Sequence, residues 1–549
     1  MQCPTSSTTT DIVNLISTVW RRRRSANYDD DDVYFDSFID YARRCKTCTT
    51  ATGRACTTTR KRPRRRSVRK RFSLKTINNL GQIVDLTARN SIWWLNYVAC
   101  VDMNDPKFLK IFRNRFRLPY QQYLELVAYA KTSPEYFKRW FDDSKDVTGE
   151  SAAPLEILIL GVLRYLGRGW TFDDLWENTG IHAETHRQFF HKFIAFGSDV
   201  LYARYVDKPM RETSIDDQGY EMTLAGFHGA VASSDATHIV MEKCKNFLKQ
   251  YHLSPKTKHT SRTYNIAVNH RRRILSTTSG HPGRWNDKTI VLFDDFVRGI
   301  HDGRLYNDAE FELLELDAMG NEVRVKYHGA WVLVDNGYLN WSSTIAPFKN
   351  TMSRKEHRWS EWIESMRKDV ECTFGILKGR WRILKSGTRI HGHEATDMVW
   401  KTCCALHNWL LDIDGLDERW MQGVPSPWEG ELGEFDAEDL ELIPEHIRNR
   451  LELYNLSSDD IAEQDHDNSS DEHDDEEYNT NMALLQTVEE PMLPATSGGP
   501  VRIVRKLTHD QFRSRLVDHF DILFKKNEIK WPRRFGSRPP TMPGDIRHG

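Results

Sequence analysis

The hydrophobic period of this chain changes at Gly229, and that change most limits what it can fold into. Before that point apolar residues recur at helical spacing; after it they alternate or run on in short stretches. From Pro154 to Gly167, Leu155, Leu158, Val162 and Leu166 predict one helix, ended by Gly167 and Gly169. Thr171 with Asp174 has the form of a capping box opening a second helix, Asn178-Thr179-Gly180 reads as a turn, and Ala183 to Phe196 predicts a third. Phe189, Phe190 and Phe193 give this third helix its apolar face. Helix, short glycine-bearing turn, helix is the helix-turn-helix pattern, which expects His186, Arg187 and Lys192 on the exposed face. An ordinary three-helix packing module is the alternative. Residues 90–146 also read as helical, with Trp93, Trp94, Phe112, Phe116 and Tyr120 as apolar positions.

After Gly229, "GAVASSDATHIVM" reads as a strand ending in polar residues. "TYNIAVNHRRRILSTTS" reads as two strands around a tight basic turn, Asn269 to Arg272. Lys288 to Ile300 predicts an amphipathic helix, and "FELLELDAMGNEVRVKY" a hairpin turning at Gly320-Asn321. "AWVLVDNGY" has the look of a buried strand ending at Asp335, and Arg358 to Leu384 that of a long helix. Strands first, with helices between and after them, predict an α/β layer with a mixed sheet.

Asp235 and Asp335 each end a core strand, where an α/β sheet presents chemistry to solvent. On the long helix, Ile363, Met366, Val370, Phe374 and Leu377 form the inward stripe, which puts Glu371 at its edge. Carboxylates that converge repel one another unless a divalent cation lies between them, and hard oxygen donors suit Mg²⁺ or Mn²⁺. Two such ions activate water and stabilise a leaving 3′-oxygen in phosphodiester cleavage. Arg367, Lys368 and Lys378 stand where they would meet phosphates, with a solvated helix face as the alternative. Asp287 competes for the second carboxylate role but precedes a helix, where Asp also serves as N-cap. His238 reads equally as a phosphate contact or as a strand-end ordering group, Trp341 as packing, and Glu364 as solvated. Cys372 is too soft for a hard cation.

A net charge of -1 conceals opposed blocks. Residues 1–72 hold 17 Lys+Arg against 7 Asp+Glu, and nine of the twelve residues from Arg60 to Arg71 are basic. Residues 429–477 hold 20 acids against two bases, and residues 500–549 hold 12 bases against 5 acids. Such blocks stay solvated, and basic ones meet polyanions, so residues 60–71 and 256–273 are expected along a nucleic-acid backbone, the former doubling as a nuclear address. The acidic stretch from Asp459 to Glu477 reads as a linker that shields basic surface or docks a basic partner. Phe512, Leu516, Phe520 and Phe524 predict a basic amphipathic helix that contacts a partner or DNA, or docks on the core. Cys45 and Cys48 with Cys56 make a poor zinc site, since no histidine precedes His182. Nine cysteines form no disulfide framework, no uncharged apolar run of eighteen residues occurs, and the N-terminus lacks the order of a secretory signal.

"SSDATHIV", "GRWNDKTIVLFDDF", "WVLVDNGYLNW" and "RKDVECTFGILKGRWRIL", followed by "LHNWLL", resemble the PIF/Harbinger transposases, in the plant-transposon-protein branch of the DDE superfamily of endonucleases. The resemblance covers roughly residues 150–412, with the segments in the family's order. It implies an RNase H-like fold behind a helix-turn-helix region, and metal-dependent cleavage and joining of DNA at transposon ends. Asp235 matches the first catalytic aspartate, Asp335 the second and Glu371 the glutamate, together holding two divalent cations, Mg²⁺ or Mn²⁺. Ala236 departs from the glycine of many relatives, where closer backbone approach is open. His186, Arg187, Lys192, His238, Arg271, Arg272, Arg273, Arg367, Lys368 and Lys378 become candidate DNA contacts. A nuclear protein that works as a homo-oligomer on double-stranded DNA follows, and in relatives a Myb-like DNA-binding protein assists. A domesticated, non-catalytic DNA-binding protein is the other reading. The expected organisation is a disordered basic arm (1–74), an N-terminal helical region (75–148), the helix-turn-helix-like region (149–205), the catalytic domain (222–412), a disordered acidic linker (425–500) and a basic C-terminal helix (501–535).

Overall fold

Lys75–Ile77 (β1) pairs antiparallel with Ile83–Asp85 (β2), so the predicted helical region opens on a short hairpin. The computed structural model describes residues 73–78, 80–141, 152–351, 353–416, 488–489 and 507–532. The basic run 60–71, Cys45, Cys48, Cys56 and the acidic stretch 459–477 lie outside them.

After short helical turns over Ala88–Asn90, Ile92–Trp94 and Leu95–Ala99, the first long helix, α1 (Pro106–Phe116), starts where the Asp105 side chain accepts from Lys107 N and Pro106 occupies the first turn. It is followed by α2 (Tyr120–Lys131) and then α3 (Leu155–Arg168), which is buried along most of its length. A full capping box at Thr171 and Asp174 opens α4 (Phe172–Thr179), and Gly180 closes it at a φ of 68°. The third helix of this unit, α5 (Ala183–Phe196), runs on through two π turns, Gly197–Leu201 and Ala203–Asp207.

The central sheet uses β3 (Ala230–Val240), β4 (Ser261–Val268), β5 (Ile274–Thr277) and β6 (His281–Pro282). Helices α6 (Asp287–Val291) and α7 (Asp295–His301) replace the single helix expected over Lys288–Ile300. The break has a local cause: Asp294 Oδ1 caps α7 by accepting from Phe296 N and Val297 N, both at 2.9 Å. The hairpin of β7 (Glu310–Leu316) and β8 (Glu322–His328) turns where Asp317 Oδ1 accepts from Met319 N and Asn321 N. Then come β9 (Trp331–Leu333), β10 (Thr344–Ile345), α8 (Arg354–Arg380), α9 (His393–Ile413), a strand β11 (Val488–Glu489) beside β8, and α10 (His509–Lys525).

Strand order in the sheet is β10-β9-β3-β4-β5, with β6 also on β4. β4 and β5 run antiparallel to their neighbours, while β9 lies parallel to β3 and β10 parallel to β9. β4 is buried throughout, so the sheet is covered on both faces. On one side Val370, Phe374 and Leu377 of α8 share a core with Tyr264, Ile266, Trp400 and the N-terminal helices. On the other, Val231, Ala267 and Val332 pack with Val291 and Val297 of α6 and α7. A third cluster joins Trp359, Trp362 and Met366 of α8 to Phe512, Leu516 and Phe520 of α10. The C-terminal helix therefore lies on the core, held also by Lys355–Asp518 (2.5 Å) and Arg358–Asp521 (2.6 Å). Among the described residues no helix is long and apolar enough to cross a membrane.

Candidate active site

The register of two parallel strands brings the first two carboxylates together. Ser233 of β3 pairs with Leu333 of β9, and Asp235 and Asp335 each stand two residues beyond that pair. Asp235 Oδ1 accepts from Ala236 N at 2.7 Å, and Asp335 Oδ1 accepts from Gly337 N at 2.8 Å. A third carboxylate, Asp287, reaches the same place from the start of α6. A Cβ added at Gly337 would lie 3.0 Å from Asp335 Oδ1 and 3.3 Å from Asp287 Oδ2, so both acids flank a position that glycine leaves clear. Asp287 is not the helix cap; the Asn286 side chain accepts from Thr289 N at 2.9 Å and leaves the Asp287 carboxylate for the site.

Burial raises Asp235 to about 7, against the pull of Arg367, with the charges of Asp335 and Asp287 adding to the rise. Asp287 is raised by burial too, opposed by Lys256, whose Nζ lies 4.0 Å from Asp287 Oδ2, and reinforced by Asp335. Behind the acids, the Tyr338 hydroxyl donates to Asn265 Oδ1. Asn265 Nδ2 donates to Ser234 Oγ (2.9 Å) and Asp294 Oδ2 (2.6 Å). This network fastens β3, β4, α7 and the loop after β9 beneath the carboxylates.

Glu371 comes from α8, at the edge of the buried stripe as its spacing requires, with 47% of its side chain exposed. Arg367, one turn earlier, links it to the sheet: Nη2 lies 2.8 Å from Glu371 Oε1 and Nη1 lies 3.5 Å from Asp235 Oδ2. The guanidinium therefore stands between the first aspartate and the glutamate. Among the described residues no three His, Cys, Asp or Glu side chains gather closely enough to hold an ion. The donor chemistry still fits a hard divalent cation: hard carboxylate oxygens from three separate elements, one acid pushed near 7, and an exposed glutamate held by a single arginine.

The other expected contacts divide sharply. Lys378 Nζ donates to Thr237 Oγ1 at 2.8 Å, two residues from Asp235, and burial with the charge of Lys385 lowers it to about 8. His238 Nδ1 is 2.9 Å from Thr263 Oγ1 and lowered to about 4 by burial, Lys256 and Lys378, which makes it a neutral strand-ordering group. Lys368 and Lys192 are exposed, and Arg187 pairs with Glu184 at 2.6 Å. His186 is a correction: it is 2% exposed, 2.8 Å from Thr179 Oγ1, and lowered to about 3 by burial. The signal was present, since positions 186, 189, 190 and 193 share one helical face.

The basic turn is a second correction. Arg271 meets Glu221 (2.9 Å) and Asp217 (3.2 Å), while Arg273 pairs with Asp412. Arg272 approaches Asp369 at 3.5 Å, and His270 pairs with the same carboxylate. The turn is thus tied into the interior, and through Asp369 it fixes α8 two residues before Glu371. Asn265 was missed; a lone amide within the buried run of β4 was the available sign.

No curated protein and no solved structure matches this chain. Over residues 234–408, which hold Asp235, Asp287, Asp335 and Glu371, the chain matches the family model described as DDE superfamily endonuclease.

Proposed function

We propose that this protein is a metal-dependent DNA endonuclease of the transposase kind, cleaving and joining phosphodiester bonds at the ends of a mobile element. The observation that carries the reading is the meeting of Asp235, midway along β3, with Asp335, just beyond the end of the paired β9, and with Arg367 leading from Asp235 to Glu371. The match over residues 234–408 supports a nuclease. The strand order supports an RNase H-like fold: a central β3, antiparallel β4 and β5 to one side, parallel β9 and β10 to the other. The PIF/Harbinger branch rests on the sequence segments quoted above. Nuclear location, a Myb-like helper and assembly on duplex DNA belong to the same proposal.

Asp235, Asp335 and Glu371 would hold Mg²⁺ or Mn²⁺, with Asp287 alongside. Such ions, when bound, supply an activated water and neutralise the leaving oxygen. Arg367 keeps Asp235 and Glu371 from drifting apart and offsets their charge. Lys378, held at Thr237, places a donor beside Asp235 for a phosphate oxygen. Tyr338 and Asn265 keep the sheet rigid under the reacting groups.

Nicking of supercoiled plasmid with Mg²⁺ or Mn²⁺ tests this. Wild type is expected to nick only with metal, and Glu371→Gln to lose roughly a hundredfold or more, since even outer-sphere partners of a metal are worth 10–100-fold. Nicking that survives Glu371→Gln sinks the assignment. The non-catalytic DNA-binding reading draws support from the Glu371 carboxylate being turned to Arg367. DNA binding without nicking by either protein favours it.

A further inference from the structure

Away from the carboxylates, six arginines gather where α1, α3 and the end of α8 meet. Arg115 and Arg117 close α1, Arg164 and Arg168 lie in the last turns of α3, Arg380 ends α8 and Arg382 follows two residues later. None of the six forms a salt bridge among the described residues, in a molecule whose other half-buried arginines are paired. Arg262 has Asp397 at 2.6 Å, Arg358 has Asp521 at 2.6 Å, and Arg271 has Glu221 at 2.9 Å. Asp414, which faces Arg380, already has both oxygens on Arg113 Nη2 at 2.8 Å.

The group is built into the fold. Arg117 caps α1 at a φ of 66°, and its stem lies against Gly167, where a Cβ would come 2.8 Å from Arg117 Cγ. Arg164 Nη1 donates to Arg115 O at 3.1 Å, and its guanidinium lies 4.3 Å from the Trp170 ring centroid. Arg117 Nε, Arg164 Nε and Arg380 Nη1 are buried without a hydrogen-bond partner. Arg168 and Arg382 are exposed at the rim. Arg117, Arg164 and Arg380 are each lowered to about 10, by burial first; Arg117 and Arg164 also face other arginines of the group, and Arg380 faces Arg113. The charges acting on Arg168 are Arg382 and Arg115. Like charges held this close, with donors unspent, are the arrangement of an anion site in want of its anion.

We propose that this crevice binds backbone phosphates of DNA. Arg380 lies nine positions after Glu371 on α8, about 14 Å along the helix, with Lys378 between them. Lys378 stands on the same face of α8 as Glu371 while Arg380 stands on the opposite face, so the crevice, whose far wall is the first helix of the helix-turn-helix-like unit, would meet a stretch of DNA other than the strand at the carboxylates. The inference takes only the identity of the polyanion from the proposed function.

The test uses the full-length protein with Arg168→Ala and Arg382→Ala combined, both at the exposed rim. Binding of a fluorescein-labelled duplex is followed by anisotropy against salt, with unrelated sequences in parallel and no divalent metal. Loss of two phosphate contacts is expected to flatten the slope of log K against log salt by about 1.8, alike for every sequence. Melting without DNA is expected at an unchanged or higher temperature, because repulsion is relieved. An unchanged slope and affinity overturn the proposal, as does a lower melting temperature with DNA binding intact, which marks the arginines as structural. Pyrophosphate that stabilises wild type but not the variant, with the DNA slope unchanged, assigns the crevice to small phosphates and also overturns it. Plasmid nicking separates the two readings. A flattened slope without nicking by wild type keeps the crevice and loses the endonuclease; nicking with an unchanged slope does the reverse.

Discussion

Asp235 shows how a single side chain sets function against stability. Its carboxyl is pushed to about 7 in the folded chain by burial and by Asp335 and Asp287, with Arg367 only partly offsetting them. A folded value above the unfolded value of about 3.9 means the folded state binds more protons between the two, so stability falls as pH rises through that window. Above pH 7 the whole penalty is present. Asp235→Asn removes the charge while keeping the shape. It is expected to abolish nicking and, at pH 8 with EDTA, to raise Tm by about 2–4 °C per kcal/mol of repulsion relieved. Calorimetry of the two proteins checks this, and a lower Tm for the variant defeats it. Asp335 and Glu371 were legible from local pattern, one after a strand end and one beside an apolar stripe. Asp235 reads as a strand end in the sequence, yet β3 runs on past it to Val240, because β4 pairs with the polar residues that follow. Asp287 was harder to place. Whether Asn286 or Asp287 caps α6 turns on one residue of register, which composition around a helix start does not resolve.

At the scale of elements, the helix-turn-helix-like unit is held by an interior histidine. His186 on α5 is 2.8 Å from Thr179 Oγ1 at the end of α4, and its ring presses on α3 at Gly161. A Cβ there would lie 2.8 Å from His186 Nδ1, with Leu175 Cδ1 close by. Gly161→Ala adds helix propensity on α3 but overfills this junction, and the overfilling wins. The expected loss is about 1–3 kcal/mol, read as a lower denaturation midpoint with an unchanged m-value. A midpoint at or above that of wild type would show that the histidine moves aside freely. Helix starts and the strand pairs around tight turns were readable because caps and alternation are local. The partners of Arg271 and Arg273 were not, since Glu221 and Asp412 come from distant parts of the chain. The arginine crevice was hidden for the same reason: its members are spread over three helices, and only packing makes them neighbours.

For the whole molecule, acid is the exposed weakness. His186 and His519 are lowered to about 3, and His238, His252, His281 and His301 to about 4, each by burial first. Each is neutral when folded, while the unfolded ring takes a proton near 6.5. The unfolded state thus binds more protons below that value, and stability is lost as pH falls from about 6.5 toward 4. Asp235 acts in the opposite direction, as do Asp207, Asp287, Asp294 and Asp414, each raised by burial first. His191, His228 and His509, also lowered by burial, side with the six. Urea unfolding at pH 5 is expected at a lower midpoint than at pH 7.5; equal midpoints would mean these histidines are not held neutral.

The seating of α10 has a consequence for the order in which the molecule is made. Trp362 of α8 is closed over by Phe520, yet α8 ends at residue 380 and α10 begins only at residue 509. Translation runs from the N-terminus, so the ribosome finishes the glutamate-bearing helix long before its cover emerges. During that interval α8 presents the large indole surface of Trp362 to the cell, and a nascent chain is at its stickiest. A molecule assembled this way completes the wall behind its glutamate only after α10 has been delivered, which delays the finished site until long after α8 itself has been read.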